Sequence, residues 1–170
     1  MIATTVRRAL AAAAVFATVG GAAALTASAA NAAPAEVPLC TDADVTVTAT
    51  PAPDHASGHH ADILHYSAAT PTTNCTLSGA PYGTVFYDGG NAPLGVPSSS
   101  DDSAGAPQVT IDATHTASSY VIIPNDTAAG PTVAKLGLHL PSDASRTAIA
   151  VGWPGQDLTT SAHFSVITQD

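Results

Sequence analysis

Positive charge is the scarcest property of this sequence. Its 170 residues hold only 4 Lys and Arg against 13 Asp and Glu, a formal net charge of −9. Two of the four, Arg7 and Arg8, lie near the start, and every acid lies from Glu36 onward. That later part carries a net charge near −11, with Lys135 and Arg146 as its only fixed cations. Nucleic acid is excluded as a partner, because phosphates need clustered Lys and Arg. An anionic membrane surface is excluded for the same reason. Nucleophile and phosphate motifs are missing too. There is no G-x-S-x-G, H-E-x-x-H, S-x-x-K or P-loop, so no catalytic residue is assigned. Only one Glu is present, Glu36, and the Asp residues cluster in turn-like segments where they bond local backbone. The expectation is a non-enzyme.

Cysteine is nearly absent: Cys40 and Cys75 are the only two. No C-x-x-C exists and no basic residue sits near either thiol, which argues against a redox pair. In an oxidising compartment an even pair forms a structural bridge.

That compartment is read from the first segment. Met1 to Arg8 is short and basic, Ala9 to about Ala30 is uncharged and apolar, and Ala30-Asn31-Ala32 fits a small-residue cleavage site. Residues 1–32 therefore read as a signal peptide, 33–38 as a Pro-bearing lead-in, and 39–170 as one domain. No later run is long and apolar enough to span a bilayer. The expected product is secreted and monomeric.

The body alternates with a period of two. Val45, Val47 and Ala49 alternate with threonines, Leu64 and Tyr66 with Ile63 and His65, and Val109 and Ile111 with Thr110 and Asp112. Leu136, Leu138 and Leu140 continue the pattern, as do Ile149, Val151 and Trp153, then Phe164 and Val166. Turn signals such as Pro51-Ala52-Pro53-Asp54 and Asp88-Gly89-Gly90-Asn91 separate the runs. Residues 92–107, with Ser98-Ser99-Ser100-Asp101-Asp102-Ser103, read as one long polar loop. Many short strands with one disulfide give an all-β antiparallel β-sandwich.

Gly58-His59 before a strand, followed by Asn74-Cys75-Thr76-Leu77-Ser78-Gly79 with Pro81 close behind, resembles a known pattern. It is similar to that of the secreted actinobacterial family called domain of unknown function 4232. The resemblance runs roughly from Leu39 to Val166 and implies a disulfide-bridged, immunoglobulin-like sandwich. It implies no catalytic residues. The chain departs from the family at Ala80-Pro81-Tyr82-Gly83, where Tyr-Pro-Gly is common, and at Ala68-Ala69.

Two features bear on function. The stretch from Asp54 to His65 packs four histidines and two aspartates. Imidazole and carboxylate suit Zn²⁺ or Cu²⁺, so His55, His59, His60 and Asp62 are the candidate metal ligands. As a strand, this stretch would put His60 and Asp62 on one face and His65 on the other. The spacing matches no standard zinc pattern, and turn geometry, solvent or a wet strand face would explain each histidine equally well. No required cofactor is assigned. Aromatics are few and mostly needed for the core, but Tyr82 sits in a Pro-Gly loop and is the candidate ligand-stacking ring. The expected function is a secreted, non-catalytic binding or interaction module with an envelope or extracellular partner. The alternative is an extracytoplasmic transition-metal-binding protein using residues 54–65.

Overall fold

The computed structural model describes residues 36–53, 58–125, 130–141, 146–154, 158 and 161–170. The segment 1–32 read as a signal peptide, the first half of the lead-in (33–35) and His55 lie outside the described residues. The described part belongs to one compact unit, Ala35–Asp170.

Eleven strands follow one another along the described chain. They are β1 (Val45–Pro51), β2 (His59–Ala68), β3 (Asn74–Ser78), β4 (Tyr82–Tyr87), β5 (Ser98–Ser100) and β6 (Gln108–Asp112). After them come β7 (Ala117–Pro124), β8 (Lys135–His139), β9 (Ile149–Gly152), β10 (Ala162–Phe164) and β11 (Thr168–Gln169). The largest sheet runs β1-β2-β7-β10-β5, with β11 also on β7. Strands β4-β8-β9 form a second sheet and β3-β6 a third.

Alternation decides which side chains face inward. Leu64 and Tyr66 of β2, Val121 and Ile123 of β7, and Phe164 of β10 are buried on one side of the large sheet. Phe86, Leu136, Leu138 and Val151 are buried from the second sheet, and Cys75, Leu77, Val109 and Ile111 from the third. All belong to one hydrophobic core. Within it Phe86 meets Trp153 edge-on at 5.2 Å between ring centroids. Tyr66 is fully buried, and its hydroxyl exchanges a hydrogen bond of 2.9 Å with Ser119.

Cys40 and Cys75 are joined, as the two-cysteine count implied. The pairing is local: Cys40 donates its N–H to the Thr76 carbonyl, and Thr76 donates to the Pro38 carbonyl. The end of the lead-in therefore lies beside β3.

Most expected strands occur where the period-two runs lie. The polar loop at 92–107 needs correction. It contains β5, which pairs in parallel with β10 through Ser98↔Ala162, Ser99↔His163 and Ser100↔Phe164. Three serines give no apolar signal, so β5 forms because β10 offers it a free edge. Among the described residues no helix is long and apolar enough to cross a membrane.

Candidate functional site

Three places combine chemistry-bearing side chains with a defined geometry. The first is the outer face of the β4-β8-β9 sheet. Strands β4 and β8 pair as Tyr82↔His139, Val85↔Gly137 and Tyr87↔Lys135, with a register shift between Tyr82 and Val85. Tyr82 and Val85 would project to opposite faces of a regular strand. The bulge brings Tyr82 onto the face that carries Val85 and Tyr87. The facing residues of β8 and β9 are small or polar: Gly137 opposite Ala150, and Lys135 opposite Gly152.

Each ring on this face is held. Tyr82 stacks on His139 at 5.3 Å with 25° between planes, and it remains 40% exposed. Gly83 makes the stack achievable: its φ is +58°, and a Cβ there would lie 2.7 Å from Cδ2 of His139. At Gly137 a Cβ would come within 3.2 Å of the Tyr87 ring, so that ring leans across the glycine. Lys135 lies over Tyr87 with its ammonium 5.0 Å from the ring centroid, and it also donates to the side-chain oxygen of Asn91.

The second place is the start of β2. His60 and Asp62 share the face that carries Leu64 and Tyr66, and this is the core face. His59 is exposed on the opposite face, and His65, also opposite, hydrogen-bonds Oγ1 of Thr50 at 2.9 Å. The structure therefore brings two of the four candidate ligands together, His60 and Asp62, and separates His59 from them. Asp62 is fully buried, between Pro51 of β1 and Val121 of β7 in register. Neither carboxylate oxygen has a hydrogen-bond partner, and neither has Nε2 of His60. Burial pushes the Asp62 carboxyl up to about 6, with nearby His60 pulling the other way. His60 is anchored at its other nitrogen, where Nδ1 meets Oδ1 of Asn125 at 2.7 Å. Asn125 in turn donates its N–H to the Gly58 carbonyl, closing the β2-β7 end. Among the described residues no three His, Cys, Asp or Glu side chains converge as a metal cage.

The third place is a hydrogen-bonded chain on the large sheet that sequence reading missed. Ser99 Oγ lies 2.9 Å from Nδ1 of His163, and Nε2 of His163 lies 2.9 Å from Oδ1 of Asp101. The His163 bond and the Val166 N–H hold the Asp101 carboxyl below the usual range. Ser99 and Asp101 share one segment, but His163 lies more than sixty residues away in sequence, so no local motif announces the chain.

A cavity of about 430 Å³ lies elsewhere, lined by Ser67–Pro71 with Asp112, Ala113 and Thr116. Its one carboxylate is already engaged: Asp112 accepts from the Thr114 N–H and hydroxyl and from His115. Those bonds hold the Asp112 carboxyl well below the usual range.

No protein-family model, no curated protein and no solved structure matches this chain.

Proposed function

We propose that this chain is an exported, non-catalytic binding module whose ligand surface is the outer face of β4-β8-β9. Its ligand is a neutral, hydroxyl-bearing saccharide of the envelope or extracellular space. The observation that carries the reading is the bulge in β4, which gathers Tyr82, Val85 and Tyr87 on one face. A tyrosine ring offers an apolar plate to sugar C–H groups and a hydroxyl at its rim. His139 braces the Tyr82 ring before any ligand arrives, which lowers the ordering cost of binding. The net charge near −11 from Glu36 onward favours a neutral ligand over a polyanion.

In this reading the Ser99–His163–Asp101 chain fastens the short edge strand β5 to β10 and turns over no substrate. The buried Cys40–Cys75 bridge is compatible with an extracellular location. Membership of the family that the Cys75–Gly79 segment resembles, with its immunoglobulin-like topology, belongs to the same proposal.

Affinity electrophoresis through gels containing neutral polysaccharides tests it. Retardation by at least one polysaccharide is expected, and Tyr82→Ala should abolish it without changing the far-ultraviolet circular dichroism. Equal mobility of wild type and Tyr82→Ala in every gel would remove this face as the binding surface.

A further inference from the structure

The start of β2 presents an electrostatic problem that the sheet-face reading leaves untouched. Nδ1 of His60 faces a side-chain oxygen of Asn125, which can only accept, so Nδ1 carries the proton of that bond. In the neutral ring Nε2 then holds a bare lone pair. It is buried without a partner, on the same strand face as the two unpartnered oxygens of Asp62. The neighbours in register are Pro51 and Val121 beside Asp62, and Ile123 beside His60, and none has a side chain that donates a hydrogen bond. Buried lone pairs without donors are costly, and a buried carboxylate without a counter-charge more so. Among the described residues, this strand face holds three buried acceptor atoms and no side chain that donates to them.

We propose that His60 Nε2 and the Asp62 carboxylate form a binding site for a divalent transition cation, with Zn²⁺ the best fit. Three features match that chemistry. Imidazole nitrogen and carboxylate oxygen are both ordinary zinc ligands. A ligating histidine characteristically donates its other ring N–H to an oxygen acceptor, which is the role of Asn125 here. The pair is set on a strand within a hydrogen-bonded sheet, and the Asn125-to-Gly58 bond of 2.9 Å ties the second-layer residue to the same strand end. Bound cation satisfies the lone pairs together and supplies the missing counter-charge. Water or backbone oxygen completes the coordination, since two side chains alone leave it open. The site belongs to a different sheet from Tyr82, so saccharide binding and cation binding stand or fall separately.

The test is calorimetric titration of the purified, exported protein with Zn²⁺ at neutral pH after dialysis against chelator. One saturable equivalent is expected. His60→Ala and Asp62→Ala should each weaken it about tenfold or more, Asn125→Ala should weaken it less, and His59→Ala and His65→Ala should leave it within about twofold. Because Asp62→Ala opens a hole in the core, Asp62→Asn provides the second arm. It keeps the side-chain volume and should lose the Zn²⁺-dependent rise in melting temperature that wild type shows. The proposal is overturned by the absence of a saturable equivalent. It is equally overturned if binding survives His60→Ala or Asp62→Asn, or is lost with His59→Ala, which would make it a property of exposed histidines.

Discussion

Asp62 couples the stability of this protein to pH through one buried side chain. Its carboxyl is raised from 3.8 to about 6 by burial. A carboxyl raised on folding is protonated in the native state while the unfolded chain has already ionised. The metal-free fold therefore has its full stability from this group below pH 4 and loses it as pH climbs through 6. A shift of that size corresponds to about 3 kcal/mol. The expected result is that denaturant unfolding in chelator gives wild type a decline of about that size between pH 4 and 7 that Asp62→Asn lacks. Parallel curves for the two proteins would mean that Asp62 is solvated in the native state. Gly83 is the second decisive position. Gly83→Ala adds a methyl 2.7 Å from the His139 ring at a φ of +58°, so it should cost about 1–2 kcal/mol and disturb the Tyr82 stack. Saccharide retardation should fall with it as it does for Tyr82→Ala, and undiminished retardation would show that the brace is dispensable. The shared face of His60 and Asp62 was legible from strand alternation. That this face turns inward also had a signal, because Leu64 and Tyr66 share its parity. The role of Asn125 had none, since sixty-five residues separate it from His60.

Elements divide by whether their own residues carry the signal. Strands β1, β2, β6 and β8 bury one side of an alternating run, so each is visible locally, whereas the alternating burial of β7 lies over a continuous apolar run, Tyr120–Ile123. Strand β5 has three exposed serines and owes its pairing to β10. The bulge in β4 is equally silent, because nothing in Tyr82-Gly83-Thr84-Val85 beyond the glycine marks a register shift. What fastens β5 is side-chain chemistry: Ser99 and Asp101 both bond the His163 ring, and Asp101 also accepts from the Val166 N–H at 3.2 Å. These groups are partly exposed, so His163→Ala should cost only about 1 kcal/mol of global stability. Its local effect should be larger. Amide exchange at Ser98–Ser100 should accelerate well beyond the change in β2 or β7, because β5 is a three-residue edge strand whose remaining ties are its β10 pairing and the bonds of Ser98 to Thr84 and of Ser100 to Pro81. Uniform acceleration across the large sheet would mean that β5 opens only with the whole fold.

At the scale of the whole molecule, the bridge and the charge act in opposite directions. A net charge near −11 from Glu36 onward repels itself in any compact state. The core that resists this repulsion is assembled from three sheets, and the smallest, β3-β6, has only two strands. Two strands are marginal alone. Cys40–Cys75 enters at this sheet, tying the segment after Pro38 to β3 over a sequence separation of 35. Cross-linking a loop of that length removes denatured-state entropy equivalent to about 3–4 kcal/mol. That is a large fraction of the roughly 5–15 kcal/mol typical of a whole domain. The double variant Cys40→Ala/Cys75→Ala should therefore lower the unfolding free energy by about 3–4 kcal/mol. The loss should be greatest at low ionic strength, where acid repulsion is least screened. Amide exchange would locate it: protection should fall first at Cys40 and Thr76, whose N–H groups bond across the bridge, and last at the fully buried Leu64 and Val121. A variant that keeps the wild-type unfolding midpoint would mean that the hydrogen bonds between Pro38–Cys40 and Thr76 hold the third sheet without the bridge.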